Sequence, residues 1–198
     1  MKTNYSFFAL ISRMKNITRW SLMRNNTPEN IQEHSHMVAV IAHALAVIRR
    51  DIYGKDSDPG LATIIALFHD SSEIFTGDLP TPIKYYDTEI MEAYKKVESI
   101  ASFKLLAALP LNLRSSYEEI LSPCESNEIM VLIKAADKLA AYIKCIEELK
   151  AGNYEFRLAA EQSMKKLLQL DLPEVKYFIE KFVPAFELTL DELDFSFE

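Results

Sequence analysis

Two histidines and two aspartates stand in this chain in an order that suits one cation: His34, then the pair His69-Asp70, then Asp137. Two imidazoles and two carboxylates form a mixed nitrogen and oxygen donor set. Such a set suits a divalent first-row metal, with positions left over for water and substrate. Taken singly, each residue has a plainer explanation. A lone His34 suits a core histidine whose ring nitrogens meet backbone groups. A lone Asp137 suits a carboxylate paired with Lys134, Lys138 or a nearby arginine. The ordered set is what favours the metal.

The elements that carry these residues sharpen the choice. In LATIIALFHDSSEIF the apolar residues are dense enough for a buried helix, where ionisable groups rarely enter without a partner or a metal. Projected at ~100° per residue, an arc of about 100° collects Ala62, Ala66, His69, Asp70 and Glu73. Leu61, Ile64, Ile65, Leu67, Phe68 and Ile74 take the other directions. One face is small or ionisable, the rest is core, and such a helix lines a polar pocket. Around His34, the side chains of Met37, Val38, Ile41, Ala44, Leu45 and Ile48 crowd one half of a helix, while His36 and His43 fall opposite. Only His34 of the three is expected to point inward. Asp137 sits at the edge of a stripe formed by Ile129, Leu132, Ile133, Ala136, Leu139, Ala140 and Ile143. The alanines around it let another helix come close.

The 3.6-residue period runs through most of the chain. Phe7, Phe8, Ile11 and Met14 predict a first amphipathic helix, and TRWSLMRNN reads as exposed. Thr27 as N-cap with Pro28 in the first turn predicts a helix to about Arg50. GDLPTPIKYYD, rich in proline and glycine, predicts loop or very short structure. Further helices are expected near 88–109, 112–121, 127–150, 153–169 and 174–183. With no repeat or linker in view, residues 1–198 are expected to form one all-α domain.

Composition bounds the setting. Of 198 residues, 49% are hydrophobic and only 4 are glycine, which favours helices over a turn-rich β protein. A net charge of −7 argues against nucleic acid as partner, since phosphate backbones call for a basic excess. A small anionic substrate needs only a few local cations. Cys124 and Cys145 fit no zinc or disulfide pattern, so a reducing cytoplasm is expected. No signal pattern and no apolar run of bilayer length are read, so no membrane partner is expected.

The order H…HD…D on predicted helices resembles the HD-domain phosphohydrolase superfamily, an all-α helical bundle. RWSLMRN, ENIQEHS, HDSSEIFTGDLPTPIKY, KAADKLAAYIKCIEEL and the late FVPAFELTLDE together resemble its bacterial 5'-deoxynucleotidase family across nearly the whole chain. That resemblance implies a homodimer that hydrolyses deoxyribonucleoside 5'-monophosphates to deoxynucleoside and phosphate. It implies one divalent metal per subunit held by His34, His69, Asp70 and Asp137. Cobalt, manganese or copper is the expected ion, with zinc, magnesium or iron as further candidates. Asp70 and Asp137 are implied to contact substrate as well. Arg19 is implied to orient the phosphate and Trp20 to pack against the sugar. Leu79, Pro80 and Thr81 are implied to lie in the same substrate loop.

Residue chemistry fits those expectations. A phosphate monoester is inert in water, so a catalyst supplies a nucleophile and neutralises developing charge. A metal lowers the pKa of bound water and polarises a phosphoryl oxygen. Glu73, one turn beyond His69, is expected to act in general acid/base catalysis, with Asp137 sharing the base role. The alternative for Glu73 is a carboxylate that orients His69. A guanidinium fork at Arg19 suits phosphate oxygens, and a rigid indole beside C2' leaves no room for a 2'-hydroxyl. Trp20 as a plain packing anchor is the alternative. Asp78 suits a bond to the 3'-hydroxyl. Lys84 suits a further phosphate cation or a surface lysine.

Two other functions remain open on sequence. An enzyme acting on cyclic nucleotides, triphosphates or guanosine alarmones would call for more basic residues or extra histidines, neither of which is evident. A regulatory module that binds nucleotide without turnover sits poorly with Glu73 beside an intact ligand set.

Overall fold

The computed structural model describes residues 4–84, 86–124 and 128–193, the side chain of Thr81 excepted. Among the described residues ten α-helices follow in order: α1 (Phe7–Ile11), α2 (Ile31–Asp51), α3 (Pro59–Phe68), α4 (Glu73–Thr76), α5 (Thr81–Lys84), α6 (Thr88–Ala107), α7 (Leu111–Leu121), α8 (Glu128–Lys150), α9 (Arg157–Gln169) and α10 (Pro173–Lys181). Short 3-10 turns cover Ser12–Asn16, Tyr154–Phe156, Val183–Glu187 and Leu190–Glu192. Among the described residues there is no strand, only an isolated bridge between Thr18 and Asn30. The all-α expectation holds.

The main core lies where α2 meets α3 and α8, with α9 and α10 closing its far side. Val38, Leu45, Ile65, Leu132 and Leu139 are fully buried there. Each such side chain contributes about 1.5–3 kcal/mol on leaving water. Ala135 and Ala136 have no exposed area, so α8 packs close against its neighbours.

Three expectations need correcting. The helix containing His34 starts at Ile31, not after Thr27. Asn30 accepts the Glu33 N–H, and the Glu33 carboxylate accepts the Asn30 N–H, so this reciprocal cap outcompetes Thr27-Pro28. Thr27 is drawn away instead, its N–H donating to Glu148 on α8. Second, LATIIALFHDSSEIF is not one helix. The α-helical pattern ends at Phe68, and His69, Ser71 and Glu73 donate their N–H groups only three residues back. Asp70, Ser71 and Ser72 favour such tight turns over helix interior. Third, α2 contains an 18-residue stretch of mean hydropathy 1.2, long and apolar enough to cross a membrane, where the sequence predicts none. Its apolar side is core in this fold, while Gln32, Glu33, His36 and His43 face outward.

Candidate active site

His34 occupies the first turn of α2 and is fully buried, as its position on the helix requires, whereas His36 and His43 are exposed. Its Nε2 lies 3.0 Å from Asp137 Oδ1 on α8 and 3.7 Å from Asp70 Oδ2, just past α3. His69 Nε2 lies 3.1 Å from the same Asp70 oxygen. Ligand atoms of His34, His69 and Asp70 all fall within 4.8 Å of one another. The tight turn after Phe68 does what the helical wheel was expected to do: it keeps His69 and Asp70 on the side that faces α2 and α8.

The donor chemistry fits a divalent cation. His69 Nδ1 donates to the Ala66 carbonyl at 2.7 Å, which fixes the proton there and leaves Nε2 with its lone pair. That Nε2 is buried and makes no aligned hydrogen bond, although Asp70 Oδ2 lies 3.1 Å away. A buried acceptor in that condition is costly unless something electrophilic meets it. The cluster is not sealed, since the Asp137 side chain is 40% exposed and that of Asp70 18%. Because Ala66 already orients His69, the reading of Glu73 as that orienting carboxylate fails.

Arg19 and Trp20 come from the loop before α2. Arg19 Nη1 reaches Asp70 Oδ2 at 3.5 Å, which places a guanidinium beside the metal-type cluster. Arg19 Nε and Trp20 Nε1 both donate to Glu29 Oε2, at 3.1 and 3.0 Å. Trp20 has φ of 57°, in the left-handed region, and its ring lies 5.3 Å from that of Phe156.

The chain matches the family model described as YfbR-like 5'-deoxynucleotidase over residues 6–186. This chain belongs to that family. It is 47% identical over 188 residues to a 5'-deoxynucleotidase of Vibrio parahaemolyticus, covering 94% of this chain and 97% of that one. A 5'-deoxynucleotidase of Erwinia tasmaniensis is 48% identical over 188 residues, covering 94% and 95%. The fold resembles an HD-domain phosphohydrolase of Listeria innocua, with TM-score 0.79, 24% identity, and 91% and 88% of the two chains covered. It also resembles an HD phosphohydrolase of cyanophage S-2L solved with dA and one catalytic Zn2+, with TM-score 0.60, 23% identity, and 89% and 96% covered.

Electrostatics separate the carboxyls of this YfbR-like site. Burial pushes Asp70 upward, but His69, His34 and Arg19 outweigh it and hold the group well below the usual carboxylate range. For Asp137, burial is likewise outweighed by the hydrogen bond and charge of His34, which bring it down to about 2. Glu73 goes the other way: burial, then Asp70 and Asp78, raise it to about 9 against the pull of Arg19 and Lys84. It sits in the first turn of α4, with Oε2 buried and unpartnered. Burial also raises Asp78, against Arg19 and a hydrogen bond from the Trp20 backbone. Neighbouring carboxyls driven apart in this way are a common mark of acid/base chemistry.

The structure thus brings Arg19, His34, His69, Asp70, Glu73, Asp78 and Asp137 into one neighbourhood. Leu79 and Pro80 are half-buried in the loop leading to α5, and the side chain of Thr81 lies outside the described residues. Lys84 is engaged by Glu98 at 2.8 Å and lies over the Tyr94 ring. Sequence reasoning missed Glu29 and Phe156. Glu29 belongs to the irregular loop before α2, and Phe156 to the short 3-10 turn that leads into α9.

Proposed function

We propose that this chain hydrolyses deoxyribonucleoside 5'-monophosphates to a deoxynucleoside and inorganic phosphate, with one divalent cation held by His34, His69, Asp70 and Asp137. The observation that carries this reading is the convergence of those four side chains with the Arg19 guanidinium 3.5 Å from Asp70. A bound cation supplies Lewis acidity toward a phosphoryl oxygen and lowers the pKa of a coordinated water. Arg19, anchored through Nε, presents its terminal amino groups to the phosphate and fixes its orientation. Water oxygen forms the new bond to phosphorus as the bond to the 5'-oxygen breaks. Glu73, buried beside the ligand pair, handles the proton that the departing 5'-oxygen must gain. Asp137, open to solvent on one side, shares the base role toward water.

In this reading the Trp20 indole closes the space beside C2', and Asp78 bonds the 3'-hydroxyl. Leu79, Pro80 and Thr81 complete the sugar side. Cobalt, manganese and copper are the preferred ions by family resemblance, and the imidazole and carboxylate donors also accept zinc, magnesium or iron. The reading extends to a homodimer in a reducing cytoplasm. Its support is the family resemblance together with Val97, Ile100 and Phe103, apolar and exposed on α6. Light scattering of the purified chain checks the dimer.

Incubation with each metal and a panel of ribo- and deoxynucleotides tests the function. Phosphate release confined to deoxy monophosphates is expected. Equal turnover of ribonucleotides, or turnover only of triphosphates or cyclic nucleotides, contradicts it.

A further inference from the structure

We infer that Glu29 is the positioning residue of this site, fixing Arg19 and Trp20 through a single carboxylate oxygen so that phosphate orientation and sugar selection are set together. The inference rests on the roles proposed above for those two residues and adds the group that couples them.

Glu29 Oε2 accepts from Arg19 Nε at 3.1 Å and from Trp20 Nε1 at 3.0 Å. Side chains of adjacent residues in extended chain point to opposite sides. The left-handed conformation of Trp20 brings both toward Glu29. The backbone reinforces the match, since Arg19 N–H donates to the Glu29 carbonyl at 2.9 Å. Trp20 has support behind it as well, because Phe156 is fully buried under its ring. Arg19 and Glu29 are themselves mostly buried, with side chains 12% and 16% exposed, so their bond is shielded from water.

The arrangement has a chemical cost that argues for a function. A carboxylate beside a phosphate-binding arginine opposes the substrate's negative charge. It is useful only if holding the guanidinium matters more than the attraction forgone. With Nε committed to Glu29, Arg19 is left with its Nη1 and Nη2 edge, and Nη1 already faces the cluster at Asp70. The same oxygen restrains rotation of the indole, and a steric barrier discriminates only if it stays in place.

Glu29→Gln, Glu29→Ala, Trp20→Ala and the Trp20→Ala/Glu29→Ala double variant, each metal-loaded, are assayed with dAMP and AMP. Glu29→Gln removes the opposing charge and loosens the arginine, so kcat for dAMP falls about tenfold while KM stays or drops. Glu29→Ala frees the indole, so the dAMP/AMP ratio of kcat/KM falls at least about fivefold. The double variant matches Trp20→Ala in that ratio, because the glutamate acts through the tryptophan. An unchanged ratio in Glu29→Ala, with a collapsed ratio in Trp20→Ala, overturns the inference and leaves the sugar-selection reading standing. An unchanged ratio in Trp20→Ala removes that reading and the coupling with it. If Glu29→Ala does not fold, Glu29→Gln decides alone: a risen KM with unaltered kcat overturns the inference.

Discussion

His34 Nε2 and Asp137 Oδ1 meet at 3.0 Å although 103 residues separate them in the chain. Nothing local brings an imidazole in the first turn of α2 to a carboxylate midway along α8. The contact is made by the packing of the two longest helices through alanine-rich surfaces, so the ligand set depends on the core beneath it. Replacing Asp137 with Ala is therefore expected to lower bound metal well below one per chain and activity by at least about a hundredfold. Elemental analysis after dialysis, alongside phosphate release, checks both. Full metal content in that variant would remove Asp137 from the ligand set.

Glu73→Gln keeps the size of the side chain and removes its titration. Substrate binding is expected to change little, while kcat falls by roughly 10²–10⁴-fold. Steady-state kinetics with dAMP, combined with equilibrium binding under non-turnover conditions, separates the two quantities. A variant that turns over at the wild-type rate contradicts the proton-transfer role.

Phe156 has no exposed area and shares a buried cluster with Cys145, with the Trp20 ring packed against it. Truncation to Ala is expected to destabilise the fold by about 3–5 kcal/mol through lost burial and the cavity left behind. Urea unfolding measures this. The same variant is also expected to weaken discrimination between dAMP and AMP, since Trp20 loses its backing.

Glu148 ties the loop before α2 to α8. Its carboxylate accepts from the N–H groups of Asn26 and Thr27, from Asn153 Nδ2 and from the buried Lys144. Burial pushes this group up, but those donors outweigh it and bring it from 4.5 to about 2. A depressed folded-state pKa stabilises the fold above the ordinary value. That contribution is lost as pH falls from about 4.5 toward about 2. Across that window the wild type is expected to lose stability faster than Glu148→Gln, as followed by denaturant midpoints at several pH values. Glu148→Ala at neutral pH removes the carboxylate that balances the buried Lys144, leaving it the Thr27 carbonyl, at a cost of about 3–5 kcal/mol.

The helical architecture and the grouping of His34, His69, Asp70 and Asp137 were legible in the sequence because they lie on, or directly after, strongly periodic segments. His34 was read as inward from its neighbours at helical spacing, and it is. His69 and Asp70 were placed correctly for a reason that was partly wrong: the helix ends at Phe68, and a tight turn rather than a continuous face directs them. Asn30 displaced Thr27 as cap because its reciprocal bond with Glu33 satisfies two backbone donors, a preference that proline in the next position hides. Glu29 was unreadable. Its partners lie across an irregular loop whose course depends on the left-handed turn at Trp20 and on the anchor that Glu148 supplies from α8.

The central claim is that His34, His69, Asp70 and Asp137 hold one divalent cation in common. Anomalous scattering from crystals loaded with manganese or cobalt tests it directly. One peak per chain, bounded by those four side chains with Arg19 alongside, is the predicted result. A peak placed elsewhere, or none at a metal concentration that supports turnover, would contradict the account.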